Sequence, residues 1–112
     1  MANHPITIEG INADGTLDLS DKGITKVDGG DTVTWKIGNQ SGVAVITGII
    51  RKPGTTNLFA PNDPAPVGGS THWQGIVNEK VERDSVEDYT IDYIKVEGNE
   101  RGSFDPKIQV NS

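Results

Sequence analysis

Apolar and polar residues alternate along much of this chain with a period of two, the spacing of a strand with one face buried. The clearest case is Thr32-Val-Thr-Trp-Lys-Ile37. Val33, Trp35 and Ile37 make its apolar face, and Thr32, Thr34 and Lys36 its polar one. Tyr89-Thr-Ile-Asp-Tyr-Ile94 repeats the pattern, with Tyr89, Ile91 and Tyr93 in phase. Shorter segments with strand character are Pro5–Glu9, Thr16–Leu19, Ile24–Val27, His72–Val77 and Lys107–Val110. Val43–Ile50 is nearly all apolar, as expected of a strand covered on both faces. Turn residues punctuate the series at Asp21-Lys-Gly23, Asp28-Gly-Gly-Asp31 and Gly38-Asn-Gln-Ser-Gly42. Residues 51–71 form a long connection carrying Pro53, Pro61, Pro64 and Pro66. Residues 78–88 are charged and aperiodic, a solvated loop or one helical turn, and residues 97–102 read as a polar loop.

About seven to eight short strands with frequent turns predict an all-β, Greek-key β-sandwich. No repeat or linker divides the chain, so residues 1–112 are read as a single domain whose core spans about 5–110. Composition strengthens this reading. The 12 Ile and 10 Val outnumber 3 Leu and 5 Ala, and branching at Cβ suits a pleated surface better than a helix.

Charge narrows the function classes. A net charge of -6 repels phosphate backbones and anionic bilayers, so neither nucleic acid nor membrane is an expected partner. No apolar run approaches the ~20 residues that span a bilayer as a helix. The absence of cysteine excludes disulfides, thiolate metal sites and cysteine nucleophiles. The first residues, Met1-Ala-Asn-His-Pro-Ile, lack the basic start and apolar centre of a signal peptide. A cytoplasmic location is expected if Met1 is native, and a periplasmic or secreted one if a signal has been removed.

Three segments together resemble the cupredoxin family. Gly30-Asp-Thr-Val-Thr-Trp35 is similar to that family's "G-D-x-V-x-W" strand, Tyr89-Thr-Ile-Asp-Tyr93 to its penultimate "Y-x-Y-x-C" strand, and Asp105-Pro-Lys-Ile-Gln-Val110 to its closing strand. The resemblance implies a cupredoxin-like sandwich and a blue-copper site of two His, one Cys and usually a distant Met. This chain departs at each ligand position. The first His is expected near Val43 to Val45, where Gly, Val and Ala stand; Tyr93 occupies the Cys position; no His follows it, and Met1 is the only Met. A Cu–thiolate bond needs a thiolate, so the expectation is a copper-free scaffold with no cofactor.

Other chemistry is sparse. His4 and His72 are the only histidines, and no H-x-H or H-x₃-H spacing joins them to a metal site; His4 is expected in a mobile terminus and His72 at a strand end beside Trp73. Asn12-Ala-Asp-Gly-Thr-Leu-Asp18 superficially resembles a calcium loop. In that register Gly10 replaces the first carboxylate and Asp21 the bidentate Glu, so a turn at Asp14-Gly15 explains it better. Glu79, Glu82, Asp84, Glu87 and Asp88 are interleaved with Lys80 and Arg83 and read as a solvated charged face. With no nucleophile elbow, no enzyme is predicted.

Two functional expectations follow. In the first, the sandwich is a non-catalytic binding or structural module, and the long connection carries an interaction loop of Asn57, Phe59, Asn62, His72 and Trp73. Phe59 either pins that loop to the core or exposes an apolar patch, and pinning is the commoner outcome. In the second, an open sheet edge pairs with another copy, and the domain assembles into an oligomer or filament. A small-ligand or carbohydrate-binding module is a third possibility. In the first two readings the partner is a protein, either this chain or another; in the third the ligand is unknown.

Overall fold

The computed structural model describes residues 2–59 and 63–111. Ten strands among them are β1 (Asn3–Ile11), β2 (Leu17–Leu19), β3 (Ile24–Val27), β4 (Thr32–Ile37), β5 (Val43–Arg51), β6 (Ala65–Pro66), β7 (Trp73–Ile76), β8 (Val86–Lys95), β9 (Arg101–Phe104) and β10 (Lys107–Val110). They form two mixed sheets of five strands. The first runs β2-β1-β4-β7-β6; the second runs β3-β10-β8-β5, with β9 also paired to β8. Two pairs are parallel, β1 with β4 and β3 with β10. The described residues contain no helix.

The all-β, sandwich-like architecture follows from the alternation of the sequence. β4 buries Val33 and Trp35, β8 buries Tyr89, Ile91 and Tyr93, and β1, β2 and β10 add Ile6, Ile8, Leu17, Leu19, Ile108 and Val110. These side chains fill one continuous core between the sheets. At its centre the Trp35 ring lies 5.7 Å from Tyr89, edge to face, and 6.0 Å from Phe59. The Trp35 indole N–H donates to the Tyr89 hydroxyl at 3.1 Å, so the one polar atom of the indole is not left unpaired in the core.

The strand count exceeds the seven to eight expected, for identifiable reasons. β6 is only two residues long and lies inside the Pro-rich connection. β9 begins where a polar loop was expected, because Arg101-Gly-Ser-Phe104 shows no apolar alternation. β8 starts at Val86, inside the stretch taken as loop or helical turn. Nor is β5 covered on both faces: it is an outer strand, and Val45 and Ile50 are exposed.

β9 depends on a glycine. Tyr93 and Gly102 are cross-strand partners, and a Cβ at Gly102 would lie 2.4 Å from the Tyr93 ring. The ring can lie over this strand only because no side chain stands beneath it. Its hydroxyl then reaches the Gly15 carbonyl at 2.6 Å, tying β8 to the β1–β2 turn. Gly102→Ala is therefore expected to cost about 1–3 kcal/mol in urea denaturation, through a displaced Tyr93 ring. An unchanged midpoint would show that the ring moves freely.

Candidate functional site

The long connection is held onto the sandwich at several points, and they decide what its residues offer. Arg51 Nη1 donates to the Thr55 carbonyl at 2.7 Å, and the Lys52 N–H donates to the Asp88 carbonyl at 2.8 Å. The chain then dips inward, and Leu58 and Phe59 become fully buried. Phe59 packs over Gly75 of β7, where a Cβ would come within 2.9 Å of its ring. The Leu58 carbonyl accepts from the Asn78 N–H at 2.8 Å, and the Leu58 N–H donates to Glu87 Oε1 at 2.9 Å.

The five residues expected to form an interaction loop are thus separated. Phe59 is a core side chain, the pinning outcome. Trp73 is half-buried on β7, packs against the core, and its indole N–H donates to the Ile46 carbonyl of β5 at 3.2 Å. Asn57 is exposed and accepts from the Phe59 N–H at 3.1 Å in a local turn. His72 is half-buried, its backbone paired with Val67 and its N–H bonded to Ser70 Oγ. Asn62 lies outside the described residues. Phe59, Trp73, Asn57 and His72 each make a contact that holds the connection or its flank in place.

Glu87 was grouped with a solvated charged face, and the structure corrects this. It is a buried carboxyl, only 2% exposed, with its register partner in β10 the apolar Ile108. Burial pushes its pKa up to about 7 from 4.5, reinforced by Asp63 and opposed by the Leu58 N–H and by Arg51. The signal was present in the sequence: Glu87 stands two residues before Tyr89, in phase with Tyr89, Ile91 and Tyr93. Asp88, the next residue, has its Oδ1 buried without a hydrogen-bond partner.

A second buried acid works in the opposite sense. Asp31 accepts from the Ala2 N–H, from the Asp28 N–H and from His4 Nε2 at 2.7–2.9 Å. Burial alone would raise its pKa; these bonds outweigh burial and hold it below the usual carboxylate value. His4 is accordingly not in a loose terminus: it lies in β1, beside Val33 of β4.

The residues that the sequence resemblance sets against copper ligands do not supply a copper donor set. The Tyr93 phenol donates its proton to Gly15, and burial raises its pKa further. Val43 to Val45 supply no nitrogen or sulfur side-chain donor. The calcium-like turn is also self-satisfied: Asn12 Nδ2 donates to Thr16 Oγ1 and Asp18 Oδ1, and Asp14 accepts from the Thr16 N–H and hydroxyl. No group of three or more His, Asp or Glu suited to a metal ion occurs among the described residues.

β5 is the longest outer strand among the described residues, and its Ile46 carbonyl accepts the Trp73 indole N–H. The other outer strands are short: β2 has three residues, β3 four, β6 two, and β9, paired only to β8, four. β5 has nine residues, is uncharged up to Arg51, and exposes Val45 and Ile50 at 36% and 57%. Two bulges, between Val43 and Val45 and between Ile46 and Gly48, interrupt its pairing with β8. The chain matches no protein-family model, and no curated protein shows significant similarity to it.

Proposed function

We propose that this domain is a non-catalytic binding or structural module on a copper-free, cupredoxin-like Greek-key sandwich, and that it acts by protein association through the edge of β5. The observation that carries this reading is the length and apolarity of that edge. An outer strand presents unpaired N–H and C=O groups that accept a further strand, and proteins usually blunt such edges with short length or charge. β2, β3, β6 and β9 are blunted by length; β5 is not.

The cupredoxin-like part of the reading is supported by the three sequence segments named above and by the path of the chain. The chain changes sheets between β2 and β3, β3 and β4, β4 and β5, β5 and β6, and β7 and β8. Connections that cross the sandwich in this way are the habit of Greek-key folds. The non-catalytic part is supported by how the candidate groups are used. His4 and Asp31 fasten β1, Glu87 is buried and holds the Leu58 N–H, and Tyr93 is a staple.

Self-assembly is the second reading, favoured by the same edge, because two copies of β5 can meet about a two-fold axis. Light scattering coupled to size exclusion tests it across a wide concentration range. A mass above 12.0 kDa that rises with concentration, and that Val45→Lys returns to 12.0 kDa, is the expected result for self-assembly. Val45 is exposed, so the lysine charges the edge without entering the core. A wild-type mass of 12.0 kDa throughout removes self-assembly and leaves association with a different chain.

A further inference from the structure

Among the described residues of the long connection, Leu58 and Phe59 penetrate the sandwich most deeply, and the group that receives them is a carboxyl. Glu87 Oε1 accepts the Leu58 N–H at 2.9 Å; from the other side, the Leu58 carbonyl accepts the Asn78 N–H. Both side chains are buried, with Phe59 against Trp35 and Gly75. The segment therefore both plugs the core and shields the carboxyl beneath it. Lifting it would hydrate Glu87, so closure of the plug and the charge on Glu87 are linked.

The geometry points to a pH-controlled latch: the Leu58–Phe59 plug is closed over the core while Glu87 is protonated and loosens when Glu87 ionises. A neutral carboxyl keeps the bond to Leu58 through its carbonyl oxygen and carries no charge to desolvate. An ionised one is favoured by hydration, which only the lifted segment allows.

The charged groups around Glu87 set the strength of this linkage. Arg51, from β5, favours the carboxylate, and Asp63, from the connection itself, opposes it. On β8 the neighbours are Asp88, on the opposite face of the strand, and Tyr89, whose phenol burial keeps neutral. β10 contributes the apolar Ile108. The 78–85 segment, which shares a groove with Thr56 and Asn57, carries Lys80 and Glu82. With pKa values of about 7 closed and 4.5 in the ordinary hydrated state, opening is favoured up to about 300-fold more at high pH than at low pH.

Amide hydrogen exchange by NMR between pH 5 and 8.5, corrected for intrinsic rates, tests the latch in wild type and Glu87→Gln. Protection of the Leu58 amide in wild type is expected to fall by one to two orders of magnitude over that range, relative to Glu87→Gln, whose glutamine stays neutral. The β4 amides, held between β1 and β7, should stay better protected than Leu58 at high pH, because they exchange only when the whole domain opens. Equal behaviour of the two proteins at Leu58 would overturn the latch. So would equal protection of Leu58 and the β4 amides at high pH, since that reports global unfolding with no local opening. If Glu87→Gln does not fold, a carboxyl-carbon titration of wild type decides: a Glu87 midpoint near 7 that tracks the Leu58 amide shift supports the latch, and a midpoint at the ordinary glutamate value overturns it.

Discussion

Trp35→Ala is expected to destabilise the protein by about 3–5 kcal/mol, the range for removing a large aromatic from a core. The side chain is fully buried at the meeting point of both sheets and the long connection. Its loss opens a cavity against Phe59 and Tyr89 and removes the donor to the Tyr89 hydroxyl. Trp35→Phe refills most of the volume yet still leaves that hydroxyl without the indole, a penalty of about 1–3 kcal/mol. Small domains are stable by only about 5–15 kcal/mol, so the alanine variant should lie near the edge of folding. Urea titration followed by circular dichroism measures both. A cost below about 1 kcal/mol for alanine would mean that Trp35 is not the centre of the core.

Glu87→Gln should raise stability at pH 8 by about 3 kcal/mol and change it little near pH 4. The folded-state pKa is raised, so the favourable contribution of the protonated carboxyl is fully present below 4.5 and is lost as pH rises through about 7. Glutamine resembles the protonated form and does not lose it. Asp31 acts with the opposite sign. Its pKa is lowered by the three donors, so its contribution is present above the ordinary value of 3.8 and is lost as pH falls through its folded value. Wild type is therefore expected to be most stable in mildly acid solution, between the two. Denaturation midpoints from pH 3 to 9 measure this. A wild-type optimum at pH 8, or a Gln variant less stable there, would contradict the buried-acid account.

Much of the fold was legible in the sequence. β3, β4 and β10 lie where the alternation puts them, and the inward faces of β4 and β8 were read residue by residue, because neighbouring side chains of a strand point to opposite faces whatever lies beyond them. β9 was missed because its inward positions are Gly102, which carries no apolar signal, and Phe104 alone; the Tyr93 ring supplied from β8 covers Gly102.

The candidate sites were less legible. Phe59 was seen as either an exposed patch or a pin, and the open space over Gly75 decided for the pin. Glu87 stood in phase with three buried aromatic and aliphatic residues, yet its charge and its neighbours Glu82, Arg83 and Asp84 read as solvated. Burial of a carboxyl depends on cover from the remote Leu58 and Ile108, which no local pattern encodes.

The sequence by itself determined the strand class, the inward-facing set of most strands, and the lack of thiolate chemistry. Each is a property of residue type and spacing alone. Only the tertiary structure decided that β5 is an outer strand, that Leu58 and Phe59 of the long connection are buried, and that one acid is buried while another is clasped. These depend on which segments distant in the chain come to lie side by side, and an all-apolar strand reads alike at the centre of a sheet and at its edge.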